Sequence, residues 1–174
     1  MDRRMLVVGN WKMYITSGEG AVLVQDIAEE LNDSLSGVEV VVCPPFTGIK
    51  AVSTVIELDH LTMGLGAQDL FWEQEGPFTG AISPRMLTEL RCTHVIIGHS
   101  ERREHFGETD ETVNKKVHAA LHAGLQPIVC CGETLATREA GETDAFVRSQ
   151  ITSGVAGLEA EQASRLVIAY EPIW

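Results

Sequence analysis

The sequence predicts an α/β protein built on a parallel β-sheet, and two observations favour this class. Short apolar segments alternate with longer segments of mixed polarity, and this alternation recurs six times along the 174 residues. The short segments are apolar throughout instead of alternating with polar residues, which is typical of strands that are buried on both faces. Strands and helices in strict alternation predict helical crossovers between parallel strands.

Each of the six apolar segments has the length and composition of a buried strand. Glycines punctuate the chain around them: Gly18 and Gly20 mark the first crossover, Gly37 precedes the second strand, and Gly154 and Gly157 precede the last. The predicted strands are Met5 to Gly9, Val38 to Cys43, Leu61 to Ala67, His94 to Gly98, Gln126 to Cys131 and Arg165 to Tyr170.

The segments between the strands have the apolar spacing of amphipathic helices. The helix after the fourth strand is the best defined, because it opens with the acidic stretch from Thr109 to Thr112 and closes at Ala123 and Gly124. Its apolar stripe consists of Val113, Val117, Ala120 and Leu121. The apolar stripe of the first helix consists of Ala21, Val24, Ile27, Ala28 and Leu31.

Composition and charge exclude several kinds of partner. The chain has 13 Lys and Arg against 25 Asp and Glu, a formal net charge of −12, which argues against binding to nucleic acid or to anionic membranes. No apolar run approaches the ~18 residues of a membrane-spanning helix. We therefore expect a cytoplasmic protein, and any anionic ligand would need a locally positive site.

We expect neither a disulfide nor a metal site. The cysteines form no C-x-x-C pair, and buried free thiols behave as small hydrophobic groups. His118 and His122 are four residues apart on a predicted helix, a spacing that could bind zinc, but no third ligand is evident. The cysteines are Cys43, Cys92, Cys130 and Cys131.

Two architectures fit strands and helices in alternation, an open doubly wound sheet and a closed (β/α) barrel. The first strand ends in Val8-Gly9-Asn10-Trp11-Lys12, without the G-x-G-x-x-G pattern that holds a dinucleotide pyrophosphate. This weakens the dinucleotide-binding interpretation without excluding the open sheet.

Polar residues follow three of the predicted strands at their carboxyl ends. In either architecture these ends share one edge of the sheet, where ligands bind. Each residue alone could be structural: an amide that caps a strand, a solvated lysine, a histidine at a helix start or a solvated acid. Together they predict a polar site. They are Asn10 and Lys12 after the first strand, His99, Ser100 and Glu101 after the fourth, and Glu171 after the sixth.

This set of groups restricts the chemistry. No nucleophile with a partnered base is evident in the sequence. A carboxylate base, a neutral imidazole and a lysine suit proton transfer next to a carbonyl, because the base removes a proton from carbon while the two donors stabilise the enediolate oxygens. The helical turn that begins at Ser100 is expected to hold the His99 imidazole neutral.

Six motifs, correctly ordered among the strands, make the chain resemble the triosephosphate isomerase family over all 174 residues. The resemblance implies a TIM (β/α)8 barrel and a cofactor-free isomerase of a small phosphorylated triose. The motifs are VGNWKM with Asn10 and Lys12, CPPF from Cys43, GAQD from Gly66, IIGHSERR from Ile96, CCGET from Cys130, and AYEPIW at residues 169–174.

The resemblance also implies roles for individual residues. Glu171 is similar to the family's catalytic base, and His99 to the electrophile that acts on the substrate oxygens. Lys12 is similar to the cation that holds the phosphate and offsets enediolate charge, with Asn10 as a neighbouring donor. Ser100, Glu101 and Cys130 are expected to lie behind these groups without touching substrate.

Residues 69–83 resemble the loop that crosses into a second subunit in this family, which implies a homodimer with Thr79 near the loop tip. The alternative is an unstructured surface loop. The sequence departs from the family pattern at three positions. Asp69 replaces the usual Asn, Pro77 a small residue and Ala81 a Glu, so the interface could be altered.

A complete (β/α)8 barrel takes about 250 residues. Residues 1–174 are therefore expected to form a single incomplete barrel domain that supplies about the first six βα units. The remainder would carry two strands, the phosphate-binding loops and most of a lid that starts at Pro172. Two hypotheses follow: the parent protein is a triosephosphate isomerase of glycolysis and gluconeogenesis, or this chain is an inactive structural fragment of one.

Overall fold

The computed structural model describes residues 4–31 and 37–174, in which six strands alternate with eight helices. The strands are Met5–Asn10 (β1), Val38–Cys43 (β2), Gly64–Ala67 (β3), His94–Ile97 (β4), Gln126–Cys131 (β5) and Val167–Tyr170 (β6). The helices are Ser17–Leu31 (α1), Phe46–Leu58 (α2), Pro84–Glu89 (α3), Ser100–Phe106 (α4), Asp110–His122 (α5), Leu135–Glu139 (α6), Thr143–Gly154 (α7) and Ala160–Ser164 (α8).

The strand order decides between the two architectures that the sequence left open. The strands follow one another in the order β1-β2-β3-β4-β5-β6, and the pairs with an assigned register are parallel, as where Met5 lies opposite Val38 and Ile128 opposite Val167. A doubly wound sheet reverses its order at a switch point, whereas a (β/α) barrel adds each strand beside the preceding one. The observed order is that of the barrel.

The chain divides into two compact units. Of the described residues, the first contains 4–31, 37–68 and 85–95, and the second contains 69–84 and 96–174. In the first unit, Val24 of α1, Val41 of β2 and Val52 of α2 are all fully buried. Gly20 allows α1 to lie on the ring of Trp11, because a Cβ at this position would come within 3.1 Å of that ring.

The second unit has its core around α5, which begins and ends where the sequence predicted. Thr109 and Thr112 form a reciprocal capping box at its start, and Gly124 takes a left-handed conformation after its end, with φ of 86°. Val113 and Val117 are fully buried on its apolar stripe. This stripe orients the helix against β5.

Two strands begin later than the sequence predicted, because the first residue of each predicted strand belongs to the end of the preceding helix. β3 begins at Gly64 instead of Leu61, since the N–H of Leu61 closes α2 by donating to the carbonyl of Ile56 at 3.0 Å. β6 begins at Val167 instead of Arg165, because Arg165 still has helical dihedral angles after α8. Apolar composition alone does not separate a strand from such a helix end.

β4 is one residue shorter than predicted, and β1 is one residue longer. β4 ends at Ile97 because Gly98 has φ of 76°, outside the extended region. β1 continues to Asn10, which lies opposite Cys43 in the register of β2.

The prediction that every strand is buried on both faces is right for β2 to β5 and wrong for β1 and β6. Met5 and Val7 of β1 are 67% and 53% exposed, and Ile168 and Tyr170 of β6 are 42% and 50% exposed. These two strands stand at the ends of the observed strand order, so each has one neighbour among the described strands. Within the described ranges, no helix is long and apolar enough to cross a membrane.

Candidate active site

The turn between β4 and α4 places His99 at the start of a helix with its ring held by a backbone amide. His99 is the N-cap of α4, and its Nδ1 accepts a hydrogen bond from the Glu101 N–H at 3.2 Å. An acceptor nitrogen carries no proton, so the proton of the neutral ring is on Nε2. The ring is therefore oriented as a donor through Nε2.

Glu171 follows β6 and meets that donor. Its backbone N–H donates to the carbonyl of Cys131 at 2.9 Å, which continues the β5–β6 pairing to the end of the strand. Its Oε2 lies 3.3 Å from Nε2 of His99, and its side chain is 49% exposed whereas that of His99 is 9% exposed. The second unit thus brings a solvent-accessible carboxylate to a buried imidazole donor.

Three further predicted residues surround this pair. The carboxylate of Glu101 is 3.7 Å from Nδ1 of His99. Ser100 and Cys130 line one small cavity together with Glu171. Burial, helped by the negative charge of Glu171, raises the pKa of the Cys130 thiol to about 12. Cys130 is therefore a protonated thiol at neutral pH and not a nucleophile.

Lys12 and Asn10 lie in the first unit, in a loop with an unusual backbone. Lys12 has φ of 51°, a left-handed conformation that costs a lysine about 1 kcal/mol or more. Its N–H donates to Oδ1 of Asn10 at 3.0 Å, and its carbonyl accepts from Nε2 of Gln68 at 2.8 Å. Gln68 also donates to the carbonyl of Cys43 at 2.9 Å, so it fastens this loop to β2.

A family model described as Triosephosphate isomerase matches residues 5–174. The chain belongs to the triosephosphate isomerase family.

Curated relatives and a solved structure agree with this membership. The triosephosphate isomerases of Moorella thermoacetica and Herpetosiphon aurantiacus are 53% and 49% identical over 172 residues, which cover 99% of this chain and 68% of each relative. The crystal structure of triosephosphate isomerase from Bartonella henselae matches with a TM-score of 0.86 and 37% identity, covering 99% of this chain and 69% of that one. The chain thus spans about two thirds of the length of these relatives.

The structural match confirms the predicted TIM (β/α)8 barrel class, of which this chain supplies about the first six βα units. The triosephosphate isomerase fold accounts for the sequential strand order and for the position of His99 and Glu171 at the carboxyl ends of β4 and β6.

A fully buried carboxylate behind Glu171 was not predicted from the sequence. Glu133 accepts hydrogen bonds from the Tyr170 hydroxyl, at 3.0 Å to each oxygen, and from Nε1 of Trp174 at 3.3 Å. Arg138 lies 3.6 Å from the same carboxylate and 4.6 Å from the centre of the Trp174 ring. Burial opposes ionisation, but the hydrogen bonds outweigh it and lower the pKa of Glu133. Its place two residues after β5, in CCGET, was the available signal.

A buried cluster of four charges in the second unit was also missed. Lys116 lies 2.6 Å from Oδ1 of Asp69 and 3.2 Å from Oε1 of Glu108. Arg102 lies 2.8 Å from Oδ2 of Asp69 and 3.0 Å from Oε2 of Glu108. Burial, together with the negative charge of Glu108, raises the pKa of Asp69 although both cations oppose this. Asp69, noted as a departure from the family pattern, is thus paired within its own subunit.

The predicted dimer loop is internally packed in this structure. The rings of Phe71 and Trp72 lie 4.1 Å apart between centroids, and those of Phe71 and Phe78 lie 4.6 Å apart. Gly76 has φ of 142° and lies under the Phe78 ring, where a Cβ would come within 2.8 Å. Thr79 is exposed. Residues 69–83 contain no helix or strand, and residues 73–80 are exposed, so the ring contacts are the main packing within this surface loop.

Of the two histidines with zinc-like spacing, His118 contacts a backbone carbonyl. Nε2 of His118 lies 2.9 Å from the carbonyl of Ala156. Among the residues that the structure describes, no group of three His, Cys, Asp or Glu side chains is placed to hold a metal ion. All four cysteines are buried free thiols.

Proposed function

We propose that this chain carries the active-site chemistry of a triosephosphate isomerase, which interconverts dihydroxyacetone phosphate and D-glyceraldehyde 3-phosphate without a cofactor. The observation that supports this most directly is the 3.3 Å approach of the Glu171 carboxylate to Nε2 of His99, whose Nδ1 is held by an amide. A base and a neutral donor at this separation can act on a carbon and on an oxygen of one small molecule.

The proposed reaction moves one proton between two carbons. Glu171 removes a proton from the hydroxyl-bearing carbon next to the carbonyl, and the electron pair of that C–H bond forms the carbon–carbon double bond of an enediolate. The carbonyl π electrons move to oxygen, where the Nε2–H of His99 stabilises the charge. Glu171 then returns the proton to the neighbouring carbon, whose new C–H bond takes the electron pair of the carbon–carbon double bond. The former carbonyl oxygen gains a proton from Nε2 of His99, and the first hydroxyl oxygen gives its proton back to that nitrogen as it becomes the new carbonyl, so atoms and electrons balance.

In this proposal Lys12 and Asn10 bind the substrate. The ammonium of Lys12 would offset the phosphate dianion and the enediolate charge, and Asn10 would act as a neighbouring donor. The left-handed backbone of Lys12, which is held by the hydrogen bond from Gln68, supports this role. Backbone strain of this kind is kept where neighbouring contacts enforce it, and it is common at functional sites. Ser100, Glu101 and Cys130 would shape the site without touching substrate.

The proposal extends to assembly and location. We expect a homodimer in which the loop of residues 69–83 inserts beside a second copy with Thr79 near its tip, and we expect a cytoplasmic protein of glycolysis and gluconeogenesis. The packed Phe71–Trp72–Phe78 rings support this, because a preorganised loop loses less conformational entropy on docking.

Replacement of the base tests the mechanism. In Glu171→Gln, exchange of the substrate's carbon-bound hydrogen with solvent should fall by a factor of about 10³ or more, because the amide cannot accept the proton. Binding of inorganic phosphate should persist. Glu104→Gln is the matched control, since Glu104 is an exposed carboxylate on α4. Hydrogen exchange at the wild-type rate in Glu171→Gln would remove Glu171 from this role.

A second measurement separates the isomerase from the inactive-fragment hypothesis. Turnover by purified protein whose intact mass is near 19.0 kDa would support an active chain. No turnover at that mass, with the fold retained by circular dichroism, would favour the inactive structural fragment.

A further inference from the structure

The two peptide groups of Gly98, directly before His99, are held by side chains. The N–H of Gly98 donates to Oε1 of Glu108 at 3.2 Å, and the carbonyl of Gly98 accepts from Nε of Arg103 at 2.8 Å. Gly98 has φ of 76°, and a Cβ there would come within 2.9 Å of Val113. The turn is therefore restricted to glycine, and its orientation depends on two side-chain hydrogen bonds.

Both side chains are fixed in turn by buried or half-buried ion pairs. The Glu108 side chain is 2% exposed and contacts Arg102 at 3.0 Å and Lys116 at 3.2 Å. Arg103 is 18% exposed and contacts Asp110 at 2.6 Å. A buried carboxylate held by two cations has few alternative rotamers, so the acceptor for Gly98 stays in one place.

The charges of the cluster indicate a geometric role. Asp69 and Glu108 balance Arg102 and Lys116, so the cluster has no formal net charge and adds little to the electrostatic field at a distance. Breaking a buried pair leaves an uncompensated charge, which is why such a cluster holds its members in one arrangement.

We propose that Glu108 and Arg103 are positioning residues for His99, which fix the Gly98 peptides and thereby direct Nε2 of the imidazole. The carbonyl that Arg103 holds belongs to the peptide bond joining Gly98 to His99, so a rotation of that peptide would turn the ring. This inference rests on the catalytic role proposed for His99, because a reacting group loses rate when its orientation is disturbed.

Two isosteric substitutions in the same cluster separate positioning from stability. Glu108→Gln and Asp69→Asn each remove one negative charge, but of these two side chains only Glu108 contacts Gly98. In Glu108→Gln the Gly98 amide should exchange its hydrogen about tenfold faster and its proton resonance should move upfield, because a carboxylate is a stronger acceptor than an amide. In Asp69→Asn the exchange should stay within about twofold of wild type.

The His99 ring provides the second readout, which needs no turnover. In the wild type, the ¹⁵N resonances of His99 should be those of a single tautomer with the proton on Nε2. In Glu108→Gln the two nitrogen shifts should approach each other as the ring samples both tautomers, and in Asp69→Asn they should not. Equal changes in both variants, or unchanged Gly98 and His99 signals in Glu108→Gln, would overturn the proposal.

A second pair keeps the test decisive if Glu108→Gln does not fold. Arg103→Lys removes the Nε donor to the Gly98 carbonyl, whereas Asp110→Asn alters the partner of Arg103 without touching Gly98. We expect tautomer mixing at His99 in Arg103→Lys and not in Asp110→Asn. Unchanged ¹⁵N shifts of the His99 ring in Arg103→Lys would overturn the proposal. Because these spectra are recorded without substrate, failure of the isomerase proposal would show separately, as absent turnover in the wild type.

Discussion

At the scale of single residues, Glu133 shows how a buried carboxylate can be kept ionised. It has no exposed surface, yet donors from Tyr170, Trp174 and Arg138 converge on its two oxygens. These are charge-assisted hydrogen bonds, which favour the ionised form more than burial disfavours it. Tyr170 and Trp174 flank Glu171, so the carboxylate holds the backbone that carries the proposed base.

This arrangement predicts an acid-sensitive contribution to stability. The pKa of Glu133 is lowered in the folded protein from the usual 4.5, so its contribution is fully present above pH 4.5 and is lost as pH falls through the lower, folded pKa. Glu133→Gln should therefore reduce the loss of stability below pH 4.5, measured by urea unfolding at a series of pH values. Glu139→Gln, on exposed α6, is the control. An unchanged pH profile in Glu133→Gln would contradict the prediction.

Some of these residues could be predicted from the sequence and others could not. Lys116 lies between Val113 and Val117 on the apolar stripe of α5, and a lysine at such a position predicts a buried partner. The contacts of Gln68 with the carbonyls of Lys12 and Cys43 had no such signal. They depend on which strands are neighbours and on a left-handed lysine, and neither is encoded locally.

At the scale of secondary structure, helix ends account for the success and the failure of the predicted boundaries. α5 was placed correctly because its start is polar and its end is followed by Gly124. The end of α2 was not, because the left-handed residue after it is His60, with φ of 52°, instead of glycine. The hydrogen bond that closes α2, from the Leu61 N–H to the carbonyl of Ile56, therefore uses the first residue of the apolar run that predicted β3.

The capping box of α5 predicts a measurable loss when it is opened. Thr109→Ala removes the acceptor for the Thr112 N–H, which lies 3.3 Å from the Thr109 hydroxyl oxygen, and should lower the free energy of unfolding by about 1 kcal/mol. Thr109→Ser keeps the acceptor and should retain most of the stability. The measurement is the urea midpoint at constant m-value. Equal losses in both variants would show that the hydroxyl is not the stabilising group.

At the scale of the whole molecule, charge and loop packing bear on assembly. A formal net charge of −12 disfavours association through general electrostatics, so a homodimer would require a specific contact. The loop of residues 69–83 offers one, because its aromatic rings pack together while Thr79 stays exposed near its tip. A preorganised surface of this kind supports binding with little loss of conformational entropy.

Thr79→Arg should therefore weaken the proposed dimer at least about tenfold, because an arginine at a packed interface brings both bulk and an uncompensated charge. Sedimentation equilibrium measures the dissociation constant directly. Thr152→Arg is the matched control, since Thr152 is an exposed threonine on α7 and the same charge is added. The α-helical signal should be unchanged in both variants, which separates dissociation from unfolding. Equal dimer affinity in Thr79→Arg and Thr152→Arg would place the contact between copies elsewhere than the tip of this loop.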